Sequence, residues 1–386
     1  MHLTPRNRLL VAGAGVVLVV ILIVGGALLV GSGGAGPSAT PSPSAPPSPS
    51  PTPIPSPTPT PSPSPSPTPS PSPSPVAYCP YNGLALEDPS VLEERTAMLV
   101  QVENNPVGRP TSGLNEADLV VEAPVEGDTT RFGPVYLCSE APAAIGPVRS
   151  ARYYDVDLWR QLHVMIMHFG AGYAVLREFD QTGMPYVNGI SGSWSFFGRS
   201  GPKPAPHNVY FDLDGARQAA AGDQFGNRVE RAGVPQAPFE FGDGVALPGG
   251  RDVTDITIHT ASFWSFGWSW DGAGEQWLRS DGGAPATDAL TGDRLFATSV
   301  VVQEVTEEVL YGELDPGGYP RRRQHLVGSG TGILYVAGQA HDIRWSRPSD
   351  DDVTSWTYAD SGEPVILPRG KVWWEIVPVG SSIAER

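Results

Sequence analysis

Cysteine is nearly absent from this chain: Cys79 and Cys138 are the only two in 386 residues. No cysteine precedes Cys79, which excludes a lipid-modified cysteine near the start of this sequence. The chain also lacks HExxH, CxxC and any close His/Asp cluster, so no metal site is expected. His163 and His168 fall in a stretch that reads as strand, where a spacing of five puts them on opposite faces and prevents shared chelation. The glycine run "GSGTGILYVAG" has neither the spacing nor the following helix of a dinucleotide loop, and no cofactor is expected. No G-x-S-x-G elbow occurs, and Ser150 has no evident base beside it. Basic residues are also scarce. All 41 acidic residues and 23 of the 25 basic ones follow Val76, a formal charge of −18 for that part. Nucleic acid as a partner is excluded on that balance.

Charge is missing altogether between Arg8 and Glu87. Residues 9–30, "LLVAGAGVVLVVILIVGGALLV", are apolar and long enough to cross a bilayer as one helix. Arg6 and Arg8 precede that run, which places residues 1–8 in the cytoplasm. An uncleaved single-pass anchor in the cell membrane is expected, with everything downstream extracytoplasmic. Residues 31–76 are dominated by Pro, Ser and Thr, a composition that cannot bury a core and reads as a disordered polyproline II tether. Its 39 residues from Pro37 to Pro75 reach about 120 Å at about 3.1 Å each. Outside a membrane, Cys79 and Cys138 are candidates for a disulfide, with two buried free thiols as the alternative.

The remaining residues predict an α+β fold. A mixed α/β first lobe, 77–240, has a sheet flanked by helices, and a mostly β second lobe covers 241–386. Strands are expected at 97–104, 117–124, 131–139 and 163–169. Tyr154, Leu158 and Leu162 recur on one helical face, and a second helix is expected over "YAVLREFDQ". "HNVYFDLDGARQAAAGD" repeats the strand-then-helix order, which marks α/β organisation. Beyond Gly250 strands follow at 255–260, 297–305, 331–338, 341–346, 363–368 and 371–378. A hairpin over 266–280 turns at Asp271–Gly274. All ten tryptophans lie at or after position 159, and cross-strand aromatic packing accounts for them better than a sugar-binding platform.

Chemistry concentrates in the first lobe. Glu103, Glu122, Glu126, Asp155 and Asp157 share it with Arg131, Arg149 and Arg152, many of them at strand ends or in loops. In "IGPVRSARYYDVDLW", Arg149 and Arg152 bracket Ser150 just ahead of a helix. Three guanidiniums beside a helix N-terminus would cradle an anion, since forked donors and free backbone N–H groups both favour negative oxygen. The competing reading is an internal network in which Glu122, Glu126 or Asp155 neutralise the arginines.

Three motifs, "GLNEADLVVEAPVEGDTTRF" (113–132), "IGPVRSARYYDVDLW" (145–159) and "APHNVYF" (205–211), together resemble the YerB-like family of bacterial envelope lipoproteins. The later stretch "DIRWSRPSDDDVTSWTYADSGEPVILPRGKVWWEIVP" (342–378) is similar to that family's second part. The family is a domain of unknown function with an N-terminal part and a β-rich C-terminal part. The resemblance covers most of 79–380, and the family usually reaches the membrane through a lipid-bearing cysteine where this chain has an apolar run. It implies no catalytic roles. It singles out Glu122, Glu126, Arg131, Arg149, Ser150, Arg152, His168, His207 and Asn208 as ligand-binding candidates. The expected function is binding of an anionic cell-wall or lipid-linked ligand, or of an envelope protein partner, in an Arg-lined groove. The alternative is a hydrolase or transferase acting on cell-wall polymers, with Glu122 or Glu126 as acid/base.

Overall fold

Runs such as "LVVEAPV", "MIMH" and "VWWEIVP" are apolar at consecutive positions because their strands are covered on both faces. Strict alternation divides them. Leu119, Val121, Ile166 and Trp374 pack into one core, while Val120, Met165, Met167 and Trp373 pack into another. The structure is a computed structural model describing residues 76–386 except 141, 143, 246, 248, 262 and 263. The segments expected to be cytoplasmic (1–8), membrane-spanning (9–30) and a tether (up to Pro75) lie outside the described residues. Among the described residues no helix is long and apolar enough to cross a membrane.

A mixed sheet of 13 strands organises the molecule, and strand outweighs helix. Strand Leu119–Val125 turns through Glu126–Asp128 into Thr129–Tyr136, and Met98–Val100, Met165–His168 and Tyr186–Asn188 continue beyond it. On the other side lies Val372–Pro378, parallel both to Leu119–Val125 and to Ser299–Leu314. Strands from 77–240 and from 241–386 therefore share one sheet, joined by a strand from near the end of the chain.

Helices Tyr154–Leu162 and Tyr173–Thr182 cover one face, burying Leu158, Leu162, Val175 and Phe179. The other face is covered by helix Leu213–Ala221 and by a six-stranded sheet that contributes Ile256, Trp268 and Trp277. Trp268 meets Trp373 edge-on at 5.0 Å and Trp356 meets Trp374 at 5.8 Å, the packing expected for these rings.

Two local expectations change. Strand Met165–His168 begins later than position 163, and His163 instead ends helix Tyr154–Leu162 in the left-handed conformation, its Nδ1 2.6 Å from the Val234 carbonyl. Strand Ser299–Leu314 runs nine residues past the expected end at 305, because its second half pairs with Pro320–His325 as a long hairpin. The hairpin expected over 266–280 is present, with Asp271 opposite Gln276. Cys79 and Cys138 are bonded, which ties the start of the described chain to the end of strand Thr129–Tyr136. Asp118 secures the same corner by accepting the N–H groups of Leu137, Cys138 and Ser139.

Candidate functional site

Residues 145–153 run beside the edge of the 98–103 strands as an extended segment. Glu103 N–H donates to Pro147 O, Arg149 N–H to Gln101 O, and Ala151 N–H to Gly170 O. This pins the backbone of the segment carrying Arg149 and Arg152 on both sides. Arg131 reaches this segment because it sits directly opposite Glu103 in the strand register.

Arg149 is paired to Glu103 at 2.9 Å, and Glu103 also meets His207 Nδ1 at 2.8 Å. Gly108 makes room for that carboxylate, since a β-carbon there would stand 2.6 Å from Glu103 Oε2. Arg152 is bound more completely. Its Nε and Nη2 each lie 2.6 Å from Glu126 Oε2, and its Nη1 donates to the carbonyls of Ser150 and Ala151 at 2.9 Å. Glu126 also faces Arg321 at 3.3 Å, on the strand of the long hairpin. The Arg321 guanidinium in turn lies against Gly172, where a β-carbon would come within 2.5 Å of Nη2.

Arg131 differs from its neighbours. It is 6 % exposed, it donates from Nη1 to Ser150 O at 2.7 Å, and its Nε has no hydrogen-bond partner. No carboxylate lies within ion-pair distance of it among the described residues. Burial lowers its pKa to about 9, helped by the positive charges of Arg152 and Arg149.

A carboxyl from the first turn of helix Tyr154–Leu162 turns back onto this loop. Asp155 Oδ2 accepts the Arg152 N–H at 2.7 Å, and its other oxygen accepts Gln101 Nε2 at 2.6 Å. Full burial raises the Asp155 pKa to about 7 against the pull of these donors and of Arg152 and Arg131. Four guanidiniums thus face Glu103, Glu126 and a carboxyl that titrates near neutrality.

The other predicted residues divide between this cluster and elsewhere. Ser150 supplies its carbonyl to Arg131 and Arg152, and its hydroxyl faces Phe169 O at 3.4 Å. His168 is fully buried, with Nδ1 2.8 Å from Gly170 O, Nε2 unpartnered and a pKa lowered by burial to about 4. Asn208 accepts from Arg199, whose charge also acts on Arg149. Glu122 is on the opposite face of the sheet, because it stands across from Phe132 rather than Arg131. There it meets Arg279 at 2.5 and 2.9 Å and the Trp373 indole at 3.1 Å, and Arg279 also binds Glu375 at 2.8 Å. Burial and then Glu122 raise the Glu375 pKa well above the usual range.

Sequence reasoning missed Arg321, Arg279 and Glu375, since nothing local marks a partner supplied by a strand far along the chain. It also missed Lys371 in a cavity of about 560 Å³. Lys371 Nζ donates to the carbonyls of Leu114 and Asn115, and burial lowers its pKa to about 7. This cavity and three smaller ones contain none of Arg131, Arg149 and Arg152 in their walls.

Two family models match in order along the described chain. Residues 81–226 match the N-terminal domain of a protein family of unknown function, DUF3048, and residues 255–374 match its C-terminal domain. The chain belongs to the YerB-like family. It is 29 % identical over 310 residues to the candidate lipoprotein YerB of Bacillus subtilis (strain 168), an alignment covering 78 % of this chain and 86 % of that protein. The crystal structure of the YerB protein from Bacillus subtilis superposes with a TM-score of 0.66 at 26 % identity, over 80 % of this chain and 99 % of that one. The YerB-like N-terminal domain contains Arg131, Arg149, Arg152, Glu103 and Glu126, whereas Arg321, which completes the cluster, comes from the C-terminal domain.

Proposed function

We propose that this YerB-like chain is a membrane-associated protein of the cell envelope that binds an anionic ligand at Arg131, Arg149 and Arg152. The observation carrying this reading is Arg131: a buried guanidinium with no carboxylate, set beside two others. A buried charge is costly unless it is paired, and like charges alongside add to the cost. A phosphate or carboxylate on Nε and Nη2 would supply what the protein itself does not. The surplus of positive charge here stands against a domain whose overall balance is −18, which makes it a local arrangement rather than a general basic surface. The apolar run at 9–30, the tether and the name of the Bacillus relative support the envelope location. Binding is favoured over catalysis by the state of the carboxylates: Glu126 is shared between two arginines and Glu122 is enclosed with Arg279.

The test is calorimetric titration of the full chain in detergent with inorganic pyrophosphate and with N-acetylmuramyl dipeptide. Saturable binding that weakens at least about tenfold in Arg131→Gln supports the reading, tenfold being the effect of losing one charge-assisted hydrogen bond. Absence of saturable binding by either anion would overturn it.

A further inference from the structure

A second site lies in the C-terminal domain and shares no residue with the arginine cluster. Strands Gln339–Arg347 and Ser355–Tyr358 pair with Ile343 opposite Tyr358. That register puts His341 and Tyr358 on one face, with their rings 5.8 Å apart and nearly perpendicular. Both line a cavity of about 330 Å³, together with Gly250, Arg251, Asp342 and Asp360. His341 is 4 % exposed and Tyr358 5 %, yet His341 Nε2 and Tyr358 Oη have no hydrogen-bond partner. Two buried polar atoms left unsatisfied on residues that line one cavity call for an explanation, because groups of this kind in native proteins are almost always bonded. The close backbone of Gly250 holds the imidazole in place: a β-carbon there would stand 2.6 Å from His341 Cε1.

The charges in the walls narrow the ligand. Arg251 is the cavity's cation, and its charge is paired with two carboxylates, Glu385 at 2.6 and 2.7 Å and Asp342 at 2.7 Å. No positive charge is left for an anion, while Asp342 and Asp360 repel one. An ammonium group would satisfy the carboxylates, but it only donates and leaves the phenol hydrogen without an acceptor. A hydroxyl both donates and accepts, so several hydroxyls on one small molecule can serve the imidazole, the phenol and the carboxylates together. We propose that this cavity binds a neutral, hydroxyl-rich ligand the size of a sugar ring, with His341 and Tyr358 as its buried hydrogen-bonding partners.

The experiment titrates the full chain in detergent with D-glucose and N-acetyl-D-glucosamine, followed by ligand-observed NMR, with ethylammonium chloride and inorganic phosphate as parallel probes. The expected result is saturable binding of a sugar that weakens at least about tenfold in His341→Phe and in Tyr358→Phe. Tyr358→Phe keeps the ring, His341→Phe keeps an aromatic ring of different size, and both remove the unpartnered polar atom. Asp360→Asn, at an exposed position, gives a third reading if either aromatic variant fails to fold. Arg131→Gln should leave sugar binding unchanged, which separates this site from the anion site. Three outcomes would sink the proposal: no saturable sugar binding, equal affinity in the folded variants, or binding of ethylammonium or phosphate in place of sugar.

Discussion

Arg131 and Arg152 donate to the same acceptor: their Nη1 groups lie 2.7 and 2.9 Å from the carbonyl oxygen of Ser150. One of the two is neutralised by Glu126 and the other has no carboxylate, so two similar side chains in contact have different energetic roles. The arginine cluster is therefore partly an internal ion-pair network, with Arg131 left outside its ion pairs.

This difference predicts opposite outcomes for the two arginines. Arg152→Ala leaves Glu126 buried with only Arg321 at 3.3 Å and should cost roughly 3–5 kcal/mol, the usual effect of stranding a buried charge. Arg131→Gln removes a charge that no carboxylate among the described residues pairs within ion-pair distance and should change stability by less than about 1 kcal/mol in either direction. Urea denaturation midpoints of the two variants decide the matter, and equal losses would place Arg131 in the structural network.

Asp155 makes stability depend on pH with an unusual sign. Its folded pKa is raised to about 7, above that of an unfolded aspartate, so the native state holds the proton more tightly between roughly pH 4 and 7. Its stabilising contribution is complete below about pH 4 and falls as pH rises toward 7, by about 1.4 kcal/mol per unit at most. The stability difference between wild type and Asp155→Asn, measured from pH 4 to 8, should shrink in that direction. A difference that grows with pH would mean that the two donors on the carboxylate outweigh its burial.

The Glu122–Arg279–Glu375 cluster should tolerate loss of one carboxylate and not the other. Glu375 is raised well above the usual carboxylate range by burial and by Glu122, so the neutral amide of Glu375→Gln replaces the carboxyl that the cluster least favours in its charged form. We expect a change within about 1 kcal/mol for it, against roughly 3–5 kcal/mol for Glu122→Gln, which deprives Arg279 of its bidentate partner. Thermal denaturation at pH 7 compares them directly.

The bond between Cys79 and Cys138 closes a segment of 59 residues, and the loop-entropy relation assigns that closure about 4 kcal/mol. The Cys79→Ser, Cys138→Ser double variant should lose about that amount in urea denaturation and retain the fold. The unreduced wild type serves as the reference.

Much of the fold was legible because strands covered on both faces leave apolar runs that bounding glycines and prolines delimit. The strands at 119–125, 165–168 and 372–378 were readable in this way, as were the helices at 154–162 and 173–182. His163 was misread because one residue in the left-handed conformation ends a helix without interrupting the apolar pattern on either side. The second half of strand 299–314 was missed because it is half solvated and pairs only with its own hairpin neighbour. In the candidate site, "VRSAR" was legible as a loop before a helix, whereas the turn of Asp155 back onto Arg152 N–H was not.

Apolar periodicity alone determined that this chain forms an α+β domain in which both faces of the strands are covered. Cysteine count alone marked it as compatible with one disulfide, the bond found between Cys79 and Cys138. Only the tertiary structure decided which charges meet. Alternation sends Glu122 to one face of the sheet and Arg131 to the other, and strand pairing brings Arg321 to Glu126 and Arg279 to Glu122 from more than 150 positions away in the chain. Electrostatic pairing depends on distances of a few ångströms and on which face a strand presents, and those are fixed by register, which no local stretch of sequence encodes.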